Sequence, residues 1–272
     1  MRTNLFQIVT FATNPFRGNP AFVLSEVGDT PDSALMEVCN LLRVEVIAVV
    51  DGPGEQEPGL RFFTPGGSHA GPGHASLAAA HVVLRQSVLN GGQAMGRDAA
   101  AFRLANGERR LVQVKGERIA MRFPVMPASQ VDRIDEVEKA LGARPVETWV
   151  APFGYLGVFE NAETVAALRP DMALVGAFDR TAVIATAPGG AGSDIVIRVF
   201  APNVGLPEDP VCGTAHRIII PYWAERMGKT RLHSRHLSPR GGDLWCEAVG
   251  EEVVIAGETC LVIEGTIELP EG

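Results

Sequence analysis

The densest group of chemically capable side chains runs Glu208-Asp209-Pro210-Val211-Cys212-Gly213-Thr214-Ala215-His216, where a strand-like segment gives way to an apolar helix. A carboxylate just ahead of a helix start accepts backbone N–H groups and is stabilised by the helix dipole. Asp209 is therefore either a helix cap or an acid that meets a substrate. Cys212, beside Gly213 at the same helix start, is either a thiol of lowered pKa that moves a proton or a small buried side chain. His74 sits in Gly73-His74-Ala75, a second helix opening, where it either caps and fills or does chemistry. Glu45 interrupts the apolar run Val44-Glu45-Val46-Ile47-Ala48-Val49-Val50. A half-buried carboxyl there would have a raised pKa suited to proton transfer, whereas on an edge strand it would face solvent. Two acids and an imidazole are the parts of proton-transfer chemistry, and helix N-termini make an anion site suited to a substrate carboxylate.

These groups sit on a repeated device. Arg61-Phe62-Phe63-Thr64-Pro65 leads to Gly73-His74-Ala75 and an apolar helix; Arg198-Val199-Phe200-Ala201-Pro202 leads to Gly213-Thr214-Ala215 and another. The repeat predicts two related lobes, with His74 and Asp209 at equivalent places in the two loops and facing one cleft.

The elements follow from periodicity. Strands are expected over Ile8 to Phe11 and Ala21 to Leu24, around a turn at Arg17-Gly18-Asn19-Pro20. Asp32 or Ser33 is expected to cap a helix bearing the stripe Leu35, Val38, Cys39 and Leu42. Val44 to Val50 reads as a buried strand or its approach, and Arg61 to Thr64 as another. Ala75 to Arg85 is an Ala-rich helix with no wide polar face, so a sheet must wrap it. Strands near Arg110–Val114 and Ile119–Phe123 complete the first half, and composition shifts at Pro124-Val125-Met126-Pro127-Ala128-Ser129. Lobes of residues 1–124 and 125–272 are expected, with the last strand free to return to the first lobe. In the second half a helix face at Ile134, Val137 and Leu141 ends at Gly142, and a shorter helix over Glu163 to Leu168 stops at Pro170. Thr181–Thr186 and Ile195–Phe200 flank a glycine-rich hairpin loop. A second apolar helix from Thr214 is kinked by Pro221, and the tail from Cys246 to Leu269 is strand-rich.

The bulk properties narrow the partners. At 272 residues and 46% apolar content the chain can bury a substantial core. A net charge of −8 disfavours nucleic acid or an anionic membrane as partner. The N-terminal segment alternates like a strand rather than a signal peptide, and no run reaches bilayer-spanning length. Cys39, Cys212, Cys246 and Cys260 show no metal-ligand spacing, and neither do the six histidines. Reduced thiols, a cytoplasmic location and no bound metal are expected.

The combination of motifs resembles the PhzF-like phenazine-biosynthesis family over nearly the whole chain. Its carriers are Phe16-Arg17-Gly18-Asn19-Pro20-Ala21, Phe63-Thr64-Pro65 with Gly73-His74-Ala75-Ser76-Leu77-Ala78, the Glu208–His216 segment with Pro221-Tyr222-Trp223, Ser238-Pro239-Arg240-Gly241-Gly242 and Ile263-Glu264-Gly265. The resemblance implies an α+β fold of the diaminopimelate-epimerase-like type: two pseudo-symmetric lobes, each a β-barrel-like sheet wrapped round a central helix. It implies a homodimeric isomerase that moves a proton on a small cyclic or amino-acid-like carboxylate without cofactor or metal. A glutamate takes and returns the proton, and a histidine and an aspartate hold and polarise the substrate. Glu45, His74 and Asp209 match these roles, with Asn19, Gly73, Ser76, Cys212, Gly213 and Thr214 as substrate contacts. The chain departs from the pattern in three places. Leu42-Arg43-Val44 replaces the Asn-Leu-Ser that usually precedes the glutamate, so Glu45 falls in place only with one residue deleted; a gapless match puts Val46 there. Ser68 stands for a usual Glu, and Pro72 for a small residue or Cys. Because Pro72 cannot take a proton, a symmetric two-thiol racemase is disfavoured. A one-thiol epimerase or dehydratase using Cys212, and a non-catalytic small-molecule-binding relative, are the alternatives.

Overall fold

Alternating apolar residues open the chain as two paired strands, β1 (Arg2–Thr10) and β2 (Asn19–Ser25). The computed structural model describes residues 1–68, 71–85 and 98–270. Gly18 makes the expected turn between the two strands: its φ is +66°, and a Cβ there would lie 2.3 Å from the Thr10 carbonyl oxygen. Next come α1 (Asp32–Leu42), β3 (Ile47–Asp51), β4 (Gly59–Thr64), β5 (Gly67–Ser68) and α2 (Gly73–Arg85). β6 (Ala99–Leu104), β7 (Arg109–Lys115), β8 (Arg118–Pro124) and β9 (Ser129–Val131) follow, then α3 (Ile134–Leu141), β10 (Glu147–Val150) and β11 (Gly154–Val158). α4 (Ala162–Ala167), α5 (Met172–Gly176), β12 (Ala182–Pro188), β13 (Ile195–Phe200) and α6 (Gly213–Met227) lead to β14 (Arg231–His236), β15 (Gly242–Val249), β16 (Glu252–Gly257) and β17 (Thr259–Glu268).

The chain forms two compact units, Met1–Arg122 with Ala256–Gly272, and Phe123–Ile255. Each carries the same alternation of strand pairings. In the first, β1 is antiparallel to β2, β2 parallel to β3, β3 antiparallel to β4, β4 parallel to β6 and β6 antiparallel to β7. In the second, β10, β11, β12, β13, β14 and β15 repeat that series in the same order. Parallel neighbours need a crossover, and the helices supply it: α1 and α2 in the first unit, α4 with α5 and then α6 in the second. The repeat read from two loops is thus a repeat of topology.

In the first unit α2 is the central helix. Every residue from Ala75 to Leu84 is buried, and strands β1, β2, β3, β6, β7 and β17 pack against it. Small alanines allow that close approach on all sides, as the absence of a polar face requires. The β17 strand closes on β1 over nine register pairs, and Leu269 joins the core of Leu24, Leu35, Ile47 and Phe63. In the second unit α6 buries Ala215, Ile218, Ile219, Ile220 and Trp223 and packs on β14 and β15. It continues through Pro221 as one helix. A second core gathers Val137, Leu141, Phe159, Val183 and Phe200.

Three expectations change or sharpen. The α1 helix is preceded by Pro31, and neither Asp32 nor Ser33 caps it; Asp32 lies within the first turn and pairs with Arg61 instead. Of the run from Val44 read as a buried strand or its approach, residues 44–46 are the approach and the strand starts at Ile47, because Arg43 at φ +54° ends α1 in the left-handed region and Val44 N–H returns to the Cys39 carbonyl. Strands β10 and β11 and helix α5 were not expected, since their short segments show too few periods to read.

Candidate active site

Glu45 sits at a bend between the left-handed Arg43 and the start of β3, and it is solvent-exposed. The half-buried position is therefore overturned. Its neighbour Val46 turns inward with 8% exposure, so the residue that a gapless match would align with the glutamate belongs to the core. A bulky residue held at positive φ costs about 1–2 kcal/mol, and such strain collects at functional sites.

The N-terminus of α2 begins at Gly73, with His74 second and half-buried. Asn19, the first residue of β2, is buried at 6%, and its carbonyl accepts from the Thr10 hydroxyl. Ser76 is fully buried: its hydroxyl donates to Pro72 O at 3.0 Å and accepts from Arg110 Nη1 at 2.8 Å. Arg110 also donates to Gly71 O at 3.3 Å. Gly71 has φ +106°, and a Cβ would lie 2.6 Å from the Phe62 ring and 2.9 Å from Arg110 Nη1. Ser76 and Arg110 thus hold the backbone that delivers His74.

In the second unit β13 ends in a short 3-10 turn over Pro202–Val204, and Asp209 N–H returns to Val199 O at 2.9 Å. Asp209 Oδ1 accepts Val211 N–H at 3.0 Å, and the Cys212 thiol donates to the same carboxylate. Burial pushes the Asp209 carboxyl up to about 6, outweighing those two donors. The Cys212 thiol is pushed well above its ordinary range by burial and by the Asp209 charge. That reverses the lowered thiol pKa expected at a helix start: desolvation and a neighbouring carboxylate exceed the Ala215 and Thr214 amides. Gly213 opens α6 and is buried, and Thr214 is half-buried.

His74 and Asp209 are not equivalent positions. Since Gly73 and Gly213 each open their helix, the counterpart of His74 is Thr214, while Asp209 lies four residues ahead of Gly213. Likewise Ser76 corresponds to His216, and Pro72 to Cys212. Each helix opens at a glycine, with different chemistry: an imidazole in one, a half-buried acid with a buried thiol in the other.

The structure adds Ser234 and His236, which no motif contains, and gives partners to the motif residues His216 and Ser238. His236 Nε2 accepts Cys212 N–H at 3.1 Å, and His216 Nδ1 lies 2.8 Å from Cys212 O. Ser234 Oγ lies 2.8 Å from His216 Nε2, and the Ser238 hydroxyl donates to Pro210 O at 2.6 Å. A signal for Ser234 and His236 did exist: Leu232, Ser234 and His236 alternate on the buried face of β14. A separate cavity of about 270 Å³ in the second unit is lined by Arg133, Tyr155, Phe178 and Asp179, among others, and shares no residue with these groups. Its acids and bases balance, so it selects no ligand charge.

Comparison with known proteins agrees with this architecture. The family described as phenazine biosynthesis-like protein matches residues 8–265. An uncharacterized isomerase of Pseudomonas aeruginosa is 38% identical over 269 residues, covering 99% of this chain and all of the relative. The crystal structure of a phenazine biosynthesis protein of the PhzF family from Enterococcus faecalis superposes with a TM-score of 0.90 at 32% identity, over 99% of this chain and 100% of that one. A hydroxyproline epimerase from Agrobacterium vitis, at 11% identity and a TM-score of 0.58 over 98% of this chain and 92% of its own, shares the fold alone. With the family profile spanning both units and the repeated sheet-and-helix device in each, the chain belongs to the phenazine biosynthesis-like, or PhzF, family.

Proposed function

We propose that this protein is an isomerase that moves a proton on a small cyclic or amino-acid-like carboxylate, without cofactor or metal. The observation that carries this reading is Asp209. Its carboxyl, raised to about 6 by burial, leaves about a tenth of the molecules protonated at pH 7. Glu45, exposed to solvent, takes a proton from a substrate C–H and returns it at another carbon of the same molecule. No electrons are gained or lost, and the proton balance is zero. Asp209, in its protonated form, donates to the oxygen or nitrogen that gains charge in the intermediate, and His74 orients the same group. The amides that open α2 and α6, at Gly73, Gly213 and Thr214, receive the substrate carboxylate. Asn19 and Cys212 contact the substrate beside them, and Ser76 contributes by holding Pro72. Relatives named as isomerases support an isomerase reading. The expected assembly is a homodimer, which light scattering checks.

The test is exchange of substrate C–H with deuterated water, read by proton NMR over a panel of cyclic amino acids. Exchange should occur with the wild type and fall about 10²–10⁴-fold in Glu45→Gln, chiefly through kcat. Unchanged exchange in Glu45→Gln removes Glu45 from the mechanism.

A further inference from the structure

The backbone around Cys212 is held from both sides by imidazoles. His236, 1% exposed on β14, accepts the Cys212 N–H at Nε2. A backbone amide can only donate, so Nε2 of His236 carries no proton and Nδ1 does. His216, fully buried on α6, faces the Cys212 carbonyl through Nδ1; a carbonyl can only accept, so this nitrogen carries the proton. The Ser234 hydroxyl, also fully buried, must then donate to His216 Nε2. The hydrogen bonds thus assign one tautomer to each ring. The two rings lie 5.6 Å apart, tilted by 37°. Burial lowers both pKa values, His216 to about 4, so both stay neutral in the working range.

What these rings hold bears directly on Asp209. Its carboxylate is reached by the Cys212 thiol and by Val211 N–H, and both donors lie on the segment clamped at Cys212. The Ser238 hydroxyl fixes the preceding carbonyl at Pro210 and accepts Gly241 N–H at 3.0 Å. His236 Nδ1 is buried without a hydrogen-bond partner. A buried unpaired donor costs about 1–3 kcal/mol, so packing alone does not favour histidine there. The amide it accepts does, because that amide starts the helix behind Asp209.

We propose that His236, with His216 and Ser234, is a positioning clamp that holds Cys212 so that its thiol and the Val211 amide stay on the Asp209 carboxylate. The clamp touches no substrate and acts through Asp209. It deepens the proposed function by naming what sets the protonation of the acid, and it rests on that reading for its catalytic meaning. The titratable groups facing this segment within the second unit are Glu208, Asp209, Cys212, His216 and His236.

The experiment follows the Asp209 carboxyl by carbon-13 NMR through a pH titration of the full chain, which needs no substrate. His236→Phe removes the acceptor. The Asp209 midpoint should then rise by about one unit, a tenfold gain in proton affinity, as its donors loosen. His236→Gln, which keeps an acceptor oxygen near the Nε2 position, should restore the wild-type midpoint. Ser234→Ala, a small truncation, covers the case in which His236→Phe does not fold. It should shift the His216 nitrogen-15 signals away from the single Nδ1–H tautomer and raise the Asp209 midpoint in the same direction. An unchanged Asp209 midpoint in a folded His236→Phe, or in Ser234→Ala if the former does not fold, overturns the clamp. Loss of the deuterium exchange in Glu45→Gln is a separate readout, so failure of the clamp and failure of the isomerase reading are distinguishable.

Discussion

Asp209 is under opposing demands. Its carboxyl ionises at about 6 in the folded chain against the ordinary 3.8, so folding favours the protonated form. The stability this gives is fully present below 3.8 and is lost as pH rises through 6. Asn at the same place has no charge to desolvate. Urea unfolding should therefore show Asp209→Asn gaining on the wild type by up to about 3 kcal/mol between about pH 4 and pH 7, while the isomerisation is lost. A pH-independent difference would show that burial of the charge is not what sets the group. Asp209 could be singled out because Asp-Pro-Val-Cys-Gly precedes an apolar run, but its partners could not, since Ser234 and His236 come from a strand about 25 residues further on. For Glu45, apolar neighbours suggested half-burial; the left-handed turn at Arg43 lifts it out of the core.

The repeated strand–loop–helix element brings matching arginines with different surroundings. Arg198 on β13 forms a bidentate pair with Glu208, at 2.7 and 2.9 Å, and its Nη1 donates to Val165 O and Leu168 O beside α4. Arg61 on β4 pairs with Asp51 at 2.7 and 3.1 Å and with Asp32 at 3.0 Å. Each guanidinium also lies over the Phe two residues on, Phe200 and Phe63, at 5.0 and 5.4 Å. Burial separates them: side-chain exposure is 10% for Arg198 and 28% for Arg61, and the carboxylate partners are 15% for Glu208 and 39% for Asp51. Removing one member of a buried pair strands the other charge, at about 3–5 kcal/mol, whereas a partly solvated pair contributes about 1 kcal/mol or less. Arg198→Ala should thus lower the thermal midpoint far more than Arg61→Ala, as calorimetry would show; equal losses would mean the pairs are energetically equivalent. The β4 and β13 strands were readable because their apolar residues and the Pro after each mark strand ends. The β10–β11 hairpin was not, because four and five residues show too little of a period to separate strand from loop.

Across the whole molecule, both units bury neutral histidines. His81 on α2 joins Thr259 on β17 at 2.7 Å and is lowered to about 4; His216 is lowered to about 4, and His236 falls well below 6.5. The unfolded chain binds these protons first as pH falls, so the stability they give is present above 6.5 and is lost on the way down to 4. Three histidines against the single opposing Asp209 leave an excess of about two protons, a slope of about 3 kcal/mol per pH unit from these groups. Equilibrium unfolding between pH 7 and pH 4 should show that steep acid loss; a flat profile would refute the buried neutral assignment. At this scale much is encoded along the chain. The apolar Ala75–Leu84 run required a surrounding sheet, the two Arg-led strands announced a repeat, and the helix openings at Gly73 and Gly213 located His74 and Asp209. These follow from spacing along the chain, because periodicity encodes which face of an element is buried. Three-dimensional packing, by contrast, exposes Glu45, raises the Cys212 thiol rather than lowering it, and sets two histidines against the Cys212 backbone. Desolvation and partner choice depend on which distant segments pack together, and no local pattern specifies that.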